Sequence, residues 1–111
     1  MRRMKFRFGY RFELDPGECE LRLAGEPLKL RPTPFELLHL LIRRRGQLVS
    51  RAQIVSNVWG EMVAIDTDRN INETIKQIRK ALRDDGNQRC FIQTVFTKGY
   101  RFVAPVRIVN T

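Results

Sequence analysis

One histidine, His39, and two cysteines, Cys19 and Cys90, are the only imidazole and thiol groups in 111 residues. No CxxC or Cys–His spacing joins them, which excludes a structural zinc set. Two reduced thiols in a reducing compartment fit better, although sequence separation alone leaves a Cys19–Cys90 disulfide open. No run approaches the roughly 18 apolar residues of a membrane span. The basic start at Met1 runs directly into Phe6, Arg7 and Phe8 and carries too much charge for a signal-peptide core. A cytoplasmic chain is therefore expected. Acids are scarce: 12 Asp and Glu stand against 21 Lys and Arg, leaving a formal charge of +9. Such a domain seeks polyanions, nucleic acid first, unless the charge serves only solubility. What is present, 42% hydrophobic and 30% charged residues, excludes collagen-like, mucin-like and disordered chains. It suits one globular domain over residues 1–111 with a core of its own.

Residues 5–30 read as a small antiparallel sheet. Phe6, Phe8, Tyr10, Phe12 and Leu14 alternate onto one face, and turns at Asp15–Gly17 and Ala24–Glu26 separate further short strands. A helix is expected at about 33–45, with Thr33 as cap, Pro34 at the first helical position and Glu36 completing a capping box. Its apolar residues, Phe35 to Ile42, make it the buried centre. Arg43, Arg44 and Arg45 close it as favourable charge at a helix C-terminus, the alternative being phosphate contact. A second helix at 50–59 starts from a Ser50–Gln53 capping box and turns Ile54, Val55 and Val58 inward. An acidic loop over 61–68 holds three of the twelve acids, so it repels a polyanion. A third helix covers 69–84, with Asn70 as cap and Asp66 and Asp68 as competitors. A hairpin with a basic tip follows at 91–103. The fold class is α+β, with sheet, three helices and terminal hairpin.

The third helix carries the functional signal. At about 100° per residue, Ile71, Ile75, Ile78 and Leu82 form one apolar stripe. Arg69, Asn72, Glu73, Lys76, Lys80 and Arg83 lie opposite, flanked by Gln77 and Arg79. Residues 69–83 hold five basic side chains and one acid. Arg and Lys suit phosphates and guanine edges, and Asn and Gln suit adenine edges, in a major groove that admits one helix. A cationic helix face is commonly only a solvated one. The shortage of acids, the helix-turn-helix order before it and the basic hairpin after it favour a helix presented to a groove with a wing beside it. Other chemistries fail on residue type. Asp66–Asn70 mimics half a calcium loop, but Ile71 stands where Gly is needed and Gln77 where Glu is needed. His39 lies in the most apolar helix, Asp84 and Asp85 lie in a turn, and no nucleophile–base pattern accompanies them. No enzyme activity and no cofactor are expected.

Taken in order, Leu30–Leu38, Gly46–Arg51, Val58–Gly60, Ile75–Leu82, Ile92–Val95 and Gly99–Phe102 resemble the OmpR/PhoB-type winged-helix DNA-binding domain of bacterial transcription regulators. The resemblance runs from about Phe8 to Val103. It implies sequence-specific duplex-DNA binding, with Glu73, Thr74, Lys76 and Gln77 nearest the bases. It also implies phosphate contacts from Arg69, Arg79 and Lys80, and Trp59 packed beside the backbone. Asn72 and Arg83 share the exposed ridge. Thr94 would meet a phosphate, and the tip with Thr97 and Lys98 would reach the minor groove. The 61–68 loop matches the segment that in this family can touch RNA polymerase. A single module of this size should bind weakly alone, so two copies on direct-repeat or inverted half-sites are expected. Phe96 and Thr97 depart from the Arg and Gly of response-regulator members, which leaves Lys98 as the nearest cation and Phe96 to pack or wedge. This tip looks more like the CadC/ToxR-like branch, whose members are often tethered by a later membrane helix. A cytoplasmic part of a membrane-anchored regulator, with a further sensor domain, is thus implied. The competing reading is a winged helix used for protein contact. RNA binding lacks the stacking aromatics of single-strand readers.

Overall fold

The structure is a computed structural model that describes residues 3–60, 67–84 and 91–110. It begins with four short strands, β1 (Met4–Phe8), β2 (Phe12–Asp15), β3 (Glu20–Leu23) and β4 (Glu26–Leu28). Three helical segments follow: α1 (Pro32–Arg43), α2 (Arg51–Ile54), continued by a π turn over Val55–Trp59, and α3 (Thr67–Leu82). Between α1 and α2 lies β5 (Val49–Ser50), and after α3 come β6 (Ile92–Val95), β7 (Gly99–Phe102) and β8 (Val106–Asn110).

The expected alternation from Lys5 to Leu14 is broken in its middle. Gly9 and Arg11 both take positive φ, at 56° and 68°, and fold the run into a hairpin that pairs Phe8 with Phe12. Tyr10 sits in that turn, 68% exposed, and leaves the inner face that Phe6, Phe8, Phe12 and Leu14 share. Only glycine fits at position 9, where a Cβ would lie 2.6 Å from the Phe91 ring. The sheet also gains a strand that the sequence did not announce. β8 returns after the wing and pairs antiparallel with β1, giving the order β4-β3-β2-β1-β8.

Helix starts differ from expectation in two of three cases. α1 begins at Pro32 with Arg31 as N-cap and no side-chain cap, so Thr33 and Glu36 are helical residues rather than a capping box. Pro32 and Pro34 both fall in the first turn, where backbone N–H groups lack helical partners anyway. α1 ends at Arg43, two residues early, and Arg45 donates to the Ile42 carbonyl at 3.2 Å, the helix-closing role expected of this run. The Ser50–Gln53 capping box is present in both directions. Inward from it, Ile54 is fully buried, while Val55, Val58 and Trp59 are half-buried against the core. α3 starts at Thr67 instead of 69, which places Asn70 inside the helix and Asp68 in its first turn. Asp66 lies outside the described residues, as do Cys90, most of the acidic loop and Asp85–Asn87. α3 closes through Arg83 in the left-handed region, with the Asp84 N–H donating to the Arg79 carbonyl at 2.8 Å.

The core joins all parts. α1 supplies six fully or nearly fully buried side chains from Phe35 to Ile42, and α3 adds Ile71, Ile75, Ile78 and Leu82. Phe8 stacks on Phe12 at 5.5 Å and meets Phe91 and Phe102 edge-on at 5.9 and 5.4 Å, so the N-terminal sheet is locked to the wing. His39 is half-buried between Phe6 and Phe35, a core-side position of the kind expected.

Candidate nucleic-acid interface

α3 presents two chemically opposite faces. Its apolar stripe is buried as the periodicity requires, and Arg69, Asn72, Glu73, Lys76, Gln77 and Lys80 are exposed on the other side, with Arg83 just beyond the helix. Sixteen residues at about 1.5 Å each give a ridge of about 24 Å. Arg79 and Lys80 in the last turn also complement the helix dipole. Among the described residues, no carboxylate lies within ion-pair distance of Lys76, Lys80 or Arg83.

Thr74 does not join the ridge. It is 6% exposed, and its hydroxyl donates to the Asn70 carbonyl at 2.7 Å. Its position three residues beyond Ile71 puts it beside the apolar stripe, which the resemblance alone did not resolve. Asn72 is exposed but partly committed: its Oδ1 accepts from Arg51 Nη2 at 3.0 Å and from the Tyr100 hydroxyl at 3.2 Å. Its NH2 group is what remains for an external acceptor. Arg79 is half-buried, and its Nη2 donates to the Ile92 carbonyl at 2.8 Å and to Thr94 Oγ1 at 2.9 Å. The two groups expected to meet phosphates separately, Arg79 and Thr94, are therefore bonded to each other and tie α3 to β6.

The hairpin is held from three sides. β7 pairs with both β6 and β5, in the order β5-β7-β6. Gly99 is required there, because a Cβ would lie 2.0 Å from the Val49 carbonyl oxygen. The buried Asp84 carboxylate accepts from the N–H groups of Phe91 and Ile92 at 2.8 and 3.3 Å, anchoring the start of β6 just past the end of α3. Between α3 and the hairpin lies a depression of about 420 Å³, lined among others by Asn72, Lys76, Arg79, Lys80 and Tyr100. Gln93, Thr94, Phe96, Thr97 and Lys98 are exposed on the hairpin, and Trp59 is half-buried at the end of the π turn.

Arg51 and Tyr100 were not singled out from the sequence and Asp84 was read only as a turn residue, yet all three set the geometry. Arg51 donates to Asp68 Oδ1 at 2.9 Å and to Tyr100 OH at 3.4 Å, and its guanidinium lies 5.8 Å from the Tyr100 ring centroid. Burial works against its charge. The hydrogen bonds with Tyr100 and Asp68 outweigh this and raise its pKa above the usual arginine value. One guanidinium thus links the start of α2, the first turns of α3 and the wing. The Ser50–Arg51 and Gly99–Tyr100 pairs were the available signal, but only the fold brings them together.

Comparison with known proteins agrees with this architecture. The family described as "Transcriptional regulatory protein, C terminal" matches residues 25–102. The phosphate regulon transcriptional regulatory protein PhoB of Escherichia coli (strain K12) is 39% identical over 89 residues, which cover 80% of this chain and 38% of PhoB. This chain therefore spans well under half the length of that relative. The crystal structure of the Klebsiella pneumoniae RstA DNA-binding domain in complex with RstA box superposes with a TM-score of 0.76 at 30% identity, covering 89% of this chain and 96% of that one. The DNA-binding domain of E. coli CadC superposes with a TM-score of 0.78 at 25% identity, covering 96% and 98%. Neighbours thus come from both the PhoB and the CadC side of the resemblance. Matched over most of its length, and carrying the sheet, three helices and wing of the OmpR/PhoB-type winged helix, this chain belongs to the transcriptional regulatory protein C-terminal family.

Proposed function

We propose that residues 1–111 form a single module that reads duplex DNA sequence-specifically for a transcription regulator, with α3 in the major groove and the hairpin at the minor groove. The observation that carries the reading is the cationic ridge of α3, where Lys76, Lys80 and Arg83 have no carboxylate within ion-pair distance among the described residues, beside a rigidly braced wing. In this reading Glu73, Lys76 and Gln77 face base edges, and Arg69, Lys80 and Arg83 meet phosphates. Trp59 packs beside the backbone, and Thr94, Thr97 and Lys98 form the wing's polar contact. Arg79 is a positioning residue that holds the wing against α3, and Asn72 offers its NH2 group while its oxygen braces Arg51 and Tyr100. RstA, crystallised with its DNA box on the same fold, supports this assignment. The family supports a role without enzyme chemistry. Two copies on paired half-sites, contact with RNA polymerase through 61–68, and attachment to a sensor or membrane-anchored domain belong to the same reading. Among the described residues no helix is long and apolar enough to cross a membrane.

The test is fluorescence anisotropy against a random duplex pool and a single-stranded RNA pool across a salt series, with bound duplexes sequenced. Six phosphate contacts would give a slope of about −5 in log K against log salt. Gln77→Ala is expected to change the ranking of sites, and Lys80→Ala to weaken all duplexes alike and reduce the slope by about one. A flat response to duplex at low salt would favour the protein-contact reading instead.

A further inference from the structure

Phe96 is the hairpin's aromatic side chain that packs on nothing in the core. It is 85% exposed, more than any other exposed large apolar residue among those described. Its surroundings hold it out. The tip, residues 96–98, is closed by the Val95–Gly99 pair, with the Lys98 N–H donating to the Val95 carbonyl at 2.9 Å and Thr97 at a φ of 63°. The Lys98 carbonyl accepts from the Arg51 N–H at 3.2 Å, and the backbone of Val49 presses against Gly99. The tip therefore cannot fold back to bury the ring. Two residues before Phe96, Thr94 is bonded to Arg79 of α3, so the ring stands within about 7 Å of chain from a fixed point on the recognition helix.

We propose that Phe96 is an apolar wedge that enters the minor groove, opens one base step and bends the duplex, so that the wing reads deformability rather than base edges. This rests on the reading of the chain as a duplex-DNA reader. A phenyl ring has no donor or acceptor with which to read the groove. It gains contact only where a base step parts, which is easiest at TA and CA/TG steps. Lys98, exposed two residues on, supplies the cation that keeps the tip on the phosphate backbone. Its neighbours Gln93, Thr94, Thr97 and Lys98 are polar or basic, which suits a polyanion better than an apolar protein surface.

The experiment compares duplexes selected from a random pool by the unaltered protein and by Phe96→Ala, with Phe96→Leu as a second apolar side chain. Unaltered thermal unfolding serves as the check on folding. The unaltered protein should enrich a TA or CA/TG step at a fixed offset from the bases under α3. Phe96→Ala should keep the α3 half of the motif, lose the step and bind roughly tenfold more weakly, the scale of losing one base–aromatic contact. A 2-aminopurine placed at that step should brighten with the unaltered protein and with Phe96→Leu, and stay dark with Phe96→Ala. A step and a brightening that survive Phe96→Ala overturn the wedge alone. Loss of self-association in Phe96→Ala with the duplex signal unchanged also overturns it and assigns the ring to a second copy. No motif with any of the proteins overturns the DNA reading and the wedge together.

Discussion

Basic side chains are used in opposite ways in two regions of this molecule. On the outer face of the N-terminal sheet they are neutralised at once. Glu13 accepts from Arg7 at 2.9 Å and from Arg22 at 2.7 Å, Asp15 accepts from Arg22 at 2.8 Å, and Arg3 pairs with Glu18. The register explains it, because Arg7 faces Glu13 and Glu13 faces Arg22 across adjacent strands. On α3 and the wing, Lys76, Lys80, Arg83 and Lys98 have no carboxylate within ion-pair distance among the described residues. The first arrangement stabilises a sheet. The second carries a like-charge cost, since Lys76 and Lys80 stand one turn apart, and that cost is offset only when an external anion arrives. Arg51 and Arg79 lie between these extremes and use their donors to hold α2, α3 and the wing in one geometry.

The sharpest way to break this comparison is to invert one ridge charge. Lys76→Glu places an acid four residues before Lys80, the favourable order for a helical ion pair, and three after Glu73, a like-charge neighbour, so thermal stability should hold to within about 0.5 kcal/mol. Duplex affinity should fall at least a hundredfold at about 0.1 M salt, through one lost phosphate or base contact and one added repulsion. Parallel melting and anisotropy measurements decide it. A loss of binding matched by a loss of folding would mean that the ridge charges are structural after all.

Arg22→Ala should do the reverse. Asp15 is 1% exposed and Arg22 17%, so removing the guanidinium leaves a buried carboxylate with the Glu18 N–H at 3.2 Å and the more distant Arg3 guanidinium at 3.8 Å. Burial already opposes the Asp15 charge, and Arg22, the Glu18 N–H and Arg3 together hold its pKa below the usual value. The expected cost is about 2 kcal/mol of stability. Duplex affinity of the folded fraction should stay within about twofold, because the altered surface carries no ridge residue. An affinity loss larger than this would show that the sheet's outer face also meets DNA.

The same contrast explains what could be read in advance. The ridge of α3 was legible because a helical stripe of isoleucines needs no knowledge of the rest of the fold, and the Ser50–Gln53 cap is equally local. The hairpin was legible from two apolar runs around Phe96–Gly99. The start of α1 was misread because Thr33 offered a familiar cap, while Pro32 already satisfied the geometry of the first turn without one. Strand β8 was missed because its partner is β1, about a hundred residues away, and its sequence Val106–Asn110 carries no alternation of its own. Arg79 was placed by position on the helix and Thr74 by the resemblance alone, but their hydrogen bonds depend on Asn70 within α3 and on Ile92 and Thr94 in the wing. Arg51 was invisible for the same reason: Asp68, Asn72 and Tyr100 converge on it only after folding.

The smallest expected effect separates the core from both charged surfaces. Burial between Phe6 and Phe35 lowers the His39 pKa, and the nearby Arg43 charge lowers it further. A depressed folded pKa means that the unfolded chain binds the proton more readily. The stabilisation from neutral His39 is therefore fully present above the unfolded value of about 6.5, and is lost as pH falls through that value toward the folded one. Glu13 acts in a lower window: its hydrogen bond with Arg7 holds its pKa down, so its contribution is lost only as pH falls below the ordinary carboxylate value of about 4.5. Melting between pH 7.5 and 5.5 should show a shallow decline that His39→Gln flattens, while a steeper acid limb below about pH 4.5 stays in place. Duplex affinity of the folded protein should be level across the upper window, because His39 is the only histidine and lies in α1, away from the ridge. A decline that persists in His39→Gln would assign the upper window to another group, and a matching decline in affinity would place that group on the DNA-facing surface.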